Sequence, residues 1–412
     1  MTRSRIIGIG ISLIFLVGLV IIGLLRDGGV PGPPPDLRNG RIFIQDNLWS
    51  AGTDQYAVWV GPDGTPYAGK RPREEGEWKV TNLAELPGNP LAAPTEDDEH
   101  NVYAIGVDAT GGVHIAGNMH NDPLRYVRSR TGNLRNLRPR DGPRPGASTT
   151  YPVFVGLPDG TLLFSRREGS AGEGAILLDA LAPGARSWRS RGVILDGEPT
   201  NEGPYLHHIA VDPRTGAIHL LFEWRGGATS ETNNDVGYAR SVDGGRSWQT
   251  SAGTTLDAPI THATAETVID TNPSGSGLLN GGGLTVDTAG RPHAAVGFQR
   301  ADGSQLVEHL WLDDGTWQRE QHSDRFLTGR PQIAATHDGR VWLLAVNEGD
   351  VEAIDVTPDT ERLGSSEIVA VPPKWEVAYD SQALARYGVV EMLVPRGDAP
   401  QVVAASLPNG NE

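Results

Sequence analysis

His100 and His120 bracket two short apolar segments, in Glu99-His100-Asn101 and Asn118-Met119-His120-Asn121. One stands before the first segment and one after the second. The two open ends of a hairpin lie side by side, so two imidazoles and the carboxamides of Asn101 and Asn121 are expected to meet at one rim. The pattern recurs twice. Tyr151 precedes a strand whose partner ends in Arg166-Arg167, and Tyr205 precedes one whose partner ends in Trp224-Arg225. Imidazole exchanges protons near neutral pH, a phenol holds its proton higher, and guanidinium offers a planar fork to a carboxylate. These types at equivalent rim positions point to a shared pocket suited to proton transfer. The competing reading of the first cluster is a calcium or polar structural loop on Asp97 and Asp98, but neutral imidazole suits proton transfer better than a hard cation.

The elements that must position these groups are repeats. An apolar strand, an Asp/Gly turn and a second apolar strand recur with turn glycines at 64, 112, 160, 216, 290, 339 and 397. Seven units of about 50 residues predict an all-β, seven-bladed β-propeller over 41–412. Arg41–Asp46 is expected to complete the blade made by the C-terminal strands, because ring closure removes free edges. His114, His219 and His293 follow their turn glycines at equivalent sites, which reads as packing within the architecture. Ser241-Val-Asp-Gly-Gly-Arg-Ser-Trp248 is an Asp-box: Asp243 accepts backbone N–H groups, the glycines supply positive φ, and Trp248 packs beneath. Weaker relatives end at Trp78, Trp188 and Trp317.

Composition narrows the class. The 53 Gly and 30 Pro among 412 residues disfavour a mostly helical protein, and the absence of Cys excludes disulfides, thiolate zinc sites and a thiol nucleophile. A net charge of −16 argues against a nucleic-acid partner. Ile6 to Leu25 is a charge-free run, apolar but for Ser12, after Arg3 and Arg5 and long enough to span a bilayer. Residues 1–26 therefore read as a single transmembrane helix, with a cleaved signal peptide as the alternative, and 27–40 as a Pro/Gly-rich stalk. The positive-inside rule places the rest outside the cytoplasm, attached to the membrane through residues 6–25.

Glu99-His-Asn101, Asn118-Met-His-Asn-Asp-Pro-Leu-Arg-Tyr126, Thr150-Tyr-Pro-Val-Phe154 and Asn233-Asn-Asp-Val-Gly-Tyr238 before the Asp-box resemble the BNR-repeat family that includes the propeller-type ulvan lyases. The resemblance implies a polysaccharide lyase that cleaves a uronic-acid polymer by β-elimination. It puts the shared proton transfers on His100 and Tyr151, carboxylate neutralisation on Arg167, and completion of the site on His120 and Tyr205. Asn101, Asn121, Arg166, Trp224 and Arg225 would then contact substrate. The expected partner is an acidic polysaccharide or cell-surface glycan. The acidic run Glu96–Glu99 beside His100 would repel a polyanion. The chemistry requires no cofactor, and no spacing assigns ligands for a structural calcium or zinc ion. Other readings are a tethered glycan-binding propeller without turnover and a sialidase-like hydrolase, though the Arg-Ile-Pro of the latter is absent.

Overall fold

In the computed structural model, which describes residues 46–74, 77–93, 98–271, 275–322, 327–396 and 399–408, the repeated units fold as antiparallel hairpins. The turn chemistry is local. Asp108 accepts the backbone N–H groups of Thr110 and Gly112 at 2.9 Å each, and Asp287 accepts those of Ala289 and Arg291 at 2.9 and 2.8 Å. Gly160 and Gly290, at φ of +85° and +90°, take the left-handed conformation these turns require.

Six of these hairpins extend into sheets of three or more strands, which form the blades. Their inner strands are Leu48–Ala51, Tyr103–Val107, Thr149–Gly156, Gly203–Val211, Leu278–Val286 and Leu327–Ala335. Trp49, Val107, Val155, Ile209, Val286 and Ala335 from these strands line a central cavity of about 950 Å³ that opens at the turn end. The Asp-box forms as its sequence demands: Asp243 Oδ1 accepts the N–H groups of Arg246 and Ser247 at 2.9 Å each, above a buried Trp248.

His114, His219 and His293 are buried within their blades, as the repeat reading requires. Each ring reaches the third strand: His114 and His219 meet the hydroxyls of Tyr126 and Tyr238 at 2.6 Å, and His293 meets His309 at 3.0 Å.

Two expectations are corrected. Among the described residues the ring has six blades of three or more strands, not seven. The last repeat forms only a two-stranded ribbon, Glu391–Arg396 with Ala399–Ala404, and its turn residues 397–398 lie outside the described residues. The chain before it is spent on a loop and the helix Ser381–Tyr387, capped by Asp380, so the described residues supply no further strands for a full sheet. Ribbon and helix fill the gap between the end blades. Met392, Val394 and Leu384 pack with Trp342 of blade six, and Leu393 and Val402 with Trp59 and Trp78 of blade one. The single-pass membrane protein with a transmembrane helix is likewise not supported. Among the described residues no helix is long and apolar enough to cross a membrane. The seven-residue helix Ser381–Tyr387 spans only about 10 Å. Ile6–Leu25, the stalk, and the proposed closing strand up to residue 45 lie outside the described residues.

A buried polar network ties the chain's ends together. Asp380 accepts from Ser50 at 2.7 Å, Gln55 donates to Glu391 at 2.8 Å, and Ser381 donates to Asp46 at 2.5 Å. Burial, opposed by the Ser381 hydroxyl and reinforced by Asp380, raises the Asp46 carboxyl to about 8, and burial raises Asp380 to about 6. Both exceed the ordinary carboxylate value, so the folded state binds more protons than the unfolded one. Their stabilisation is complete below about pH 4 and is lost as pH rises through the two folded values. Asp46→Asn, which stays neutral, is expected to melt roughly 2 °C or more above the parent protein at pH 9 and level with it at pH 4. Thermal melts across this range check it; parallel pH dependence in both proteins would refute the role of Asp46.

Candidate active site

The rim opposite the turn glycines gathers the sequence-predicted groups. Asp98 makes a tight turn, accepting the His100 backbone N–H at 2.9 Å. The same carboxylate bridges two imidazoles, its oxygens standing 2.5 Å from Nδ1 of His100 and 2.5 Å from Nδ1 of His120. The rings stack with centroids 4.2 Å apart. His120 is held by a loop in which Asn118 and Asn121 adopt φ of +58° and +59°, a conformation asparagine tolerates. Asn118 anchors that loop by donating to the carbonyls of Leu91 and Ala93.

Tyr151 continues the line, its ring 6.1 Å from His100 and 6.0 Å from Tyr205. It sits at φ +54° within a bulge between Thr150 and Val153 of the inner strand. An aromatic residue is rarely held in the left-handed region, and such strain clusters at functional sites. The bulge re-aims the ring along the rim rather than across the sheet. Tyr205 lies beneath two cations, with the guanidinium carbons of Arg167 and Arg225 at 4.3 and 3.9 Å from its ring centre.

Charges at the site follow from this packing. Burial opposes ionisation of Asp98, but the His100 backbone N–H and the two imidazoles outweigh it and hold the carboxyl at about 2. Burial, with His120 and Arg330 nearby, keeps His100 below the ordinary imidazole value despite Asp98. Burial and the neighbouring Tyr205 push Tyr151 up to about 12, against the pull of Arg225, Arg330 and Arg167. At neutral pH the rim therefore presents a neutral imidazole next to a protonated phenol.

His100, His120, Tyr151, Tyr205, Arg167 and Arg225 are thus brought together, with Asn101 buried beside His100 and Asn121 exposed at the rim. Arg167 is buried, and its nitrogens donate to the carbonyls of Pro204, Gly169, Ser170 and Glu173. Arg225 binds Asn233 through Nε at 2.6 Å, and its two terminal nitrogens meet no acceptor among the described residues. Arg166, on the opposite face of its strand, is buried against Glu168 and Asp179 and does not join the site. Trp224 is also buried and supports His262, stacked at 5.3 Å, which in turn links Glu202 and Asp235.

Arg330 escaped the sequence reading, and Asp98 entered it only as part of a calcium or polar structural loop. Asp98 stood in an acidic run, where nothing separated a bridging carboxylate from a solvated one. Arg330 lies in a bulge of the sixth inner strand, bound to Glu376 at 2.6 Å and to Asn280, and its charge reaches both His100 and Tyr151. A signal for it existed. Arg330 precedes Pro331 and stands nine residues before turn Gly339, as Tyr151 precedes Pro152 and stands nine before Gly160. Asp98, His100 and His120 also lie close enough to share a cation. The large central cavity contains none of these groups, and its turn-end carboxylates, Asp108 and Asp287, are already paired with Arg128 and Arg291.

A family model described as "BNR repeat-containing family member" matches residues 54–325. Among solved structures, the chain is similar to a PL25 ulvan lyase bound to -[GlcA(1-4)Rha3S]-, with a TM-score of 0.68 and 15% identity over 93% of this chain and 94% of that one. It is also similar to the polysaccharide lyase Uly1, with a TM-score of 0.62 and 14% identity over 88% and 89% of the two chains. At these identities the likeness establishes a shared fold. No curated protein matches the chain by sequence.

The bridging carboxylate makes a measurable demand. Asp98→Asn removes the group that raises the His100 pKa, so the His100 titration observed by NMR is expected to move further down while the protein stays folded. An unmoved midpoint would exclude the bridge.

Proposed function

The chain belongs to the BNR repeat-containing family, and on that premise we propose that it is a polysaccharide lyase cleaving a uronic-acid-containing polymer by β-elimination. The observation that carries this reading is the convergence of His100 and Tyr151 in complementary protonation states, beside a cluster of arginines, on one rim. Removing the C5 proton of a uronate requires its carboxylate to be held by cationic donors so that charge developing at C5 is stabilised. Arg225 has terminal donors unengaged among the described residues for that carboxylate, while Arg167, its own donors engaged, adds charge beneath Tyr205. This differs from the role the resemblance implies for Arg167.

Neutral His100 takes the C5 proton, the C5–H electrons form the C4=C5 double bond, and the C4–O4 bond breaks. Tyr151 donates its proton to the departing O4. Asp98 orients His100 and balances the imidazolium it becomes. His120, stacked on His100, closes the back of the site. The acidic partner of these imidazoles faces them rather than the bound polymer, and the arginines offset the chain's net negative charge locally.

The test is ultraviolet detection of the conjugated unsaturated uronate, using the folded protein against acidic polysaccharides that include ulvan. His100→Ala and Tyr151→Phe are each expected to lower kcat about 10²–10⁴-fold, and Arg225→Gln to lower kcat/KM about 10²-fold. Full activity in the first two variants would refute the assignment, and a flat trace from the parent protein would leave a glycan-binding propeller without turnover. The pH profile has a fixed sign as well. kcat/KM should rise through an acid limb below the ordinary imidazole value, since His100 acts when neutral, and show no alkaline limb from Tyr151 up to about pH 10.

A further inference from the structure

Blade five departs from the hydrogen-bond pattern of its relatives in a way that creates a binding site. In blades two and four, the histidine after the turn glycine meets a tyrosine hydroxyl on the third strand, Tyr126 or Tyr238. At the equivalent register position of blade five stands His309, an imidazole with a second nitrogen to use. The protons in this chain can be followed. Asp287 accepts two backbone N–H groups and the Nε of Arg291, so it is an acceptor toward His293 Nε2 at 3.3 Å as well. His293 then carries its proton on Nε2 and accepts at Nδ1 from His309 Nε2, 3.0 Å away. His309 is left with a lone pair on Nδ1.

That nitrogen is fully buried and has no hydrogen-bond partner among the described residues. A buried lone pair without a donor is costly and calls for an explanation. The neighbouring strand supplies one. Glu320 lies directly opposite His309, and His322 lies two residues further along the same face. The ligand atoms of His309, Glu320 and His322 all stand within 4.8 Å of one another.

We propose that His309, Glu320 and His322 form a zinc site on the outer strands of blade five, remote from the catalytic rim. Two imidazole nitrogens and one carboxylate oxygen are a donor set that suits zinc, whose fourth position is taken by water on the partly exposed Glu320 side. The Asp287–His293 relay fixes the orientation and tautomer of His309, as outer-shell partners of histidine ligands do at metal centres. Arg362 currently pairs with Glu320, at 2.9 and 2.5 Å, from a side chain exposed enough to swing aside when the metal enters.

The probe is zinc alone, titrated calorimetrically into chelator-stripped protein, with bound metal counted by elemental analysis. One equivalent is expected, with affinity at least tenfold lower in Glu320→Gln and in His322→Gln. Arg362→Gln, which removes a competing cation, should bind more tightly. Cobalt substitution should give the intense visible bands of a four-coordinate site. Glu320 is only partly buried, so its variant keeps the test sound should a His309 variant fail to fold. Absence of zinc binding, retention of full affinity in both Glu320→Gln and His322→Gln, or loss of binding in His120→Ala would each overturn the proposal; the last would locate the metal at the catalytic rim.

Discussion

A ring of sheets has no core at its centre to hold it together, so its rigidity rests on the contact between its first and last members. Here that contact is a buried polar network rather than a completed blade. Gln55 is its hub, accepting from Arg71 and donating toward Glu391, while Ser50 and the helix cap Asp380 bind each other across the seam. Apolar side chains of the terminal ribbon seal both flanks. A partly satisfied network of this kind would be worse than an apolar seam, because each unpaired buried group costs about 1–3 kcal/mol. Raised carboxyl pKa values show how much the seam depends on keeping protons.

The closed ring fixes where inner strands end, and the rim chemistry follows. Blades three to six all carry a register shift near that end of the inner strand, at Thr150/Val153, Leu206/His208, Leu278/Gly282 and Thr328/Gln332. A shift adds residues on one strand only, and the added residues turn out of the sheet. Tyr151 and Arg330 occupy two such places, which is how a ring in contact with His100 and a charge that lowers its pKa come from positions nearly 180 residues apart. Blade two contributes differently, through loops on either side of a short three-stranded sheet, and Asp98 draws its two histidines together.

Charge is arranged at two scales. The chain as a whole is acidic, yet the rim gathers Arg167, Arg225 and Arg330 near Tyr151. At contact distance the local cations dominate, because interactions beyond a Debye length of about 8 Å are screened. Asp98 remains ionised, but both its oxygens are engaged by imidazoles rather than left bare to solvent.

Much of this was legible in the amino-acid order. Turn glycines spaced about 50 residues apart determined the repeat and its hairpins, because an Asp/Gly turn is satisfied by its own neighbours. Period-two geometry brought His100 to His120 and put Tyr151 and Tyr205 on the same rim. Local rules stop there. Whether Arg166 or Arg167 faces the site depends on strand register, and Trp224 was expected to contact substrate because burial cannot be read from one strand. The faint last repeat suggested a seventh blade, but a turn signal does not count the strands beyond it. Asp98 as a bridge, Arg330 as a neighbour and the spare nitrogen of His309 were decided by tertiary structure alone. Each depends on side chains from separate blades or strands meeting at distances of a few ångströms, and sequence order carries no information about such meetings until the ring closes.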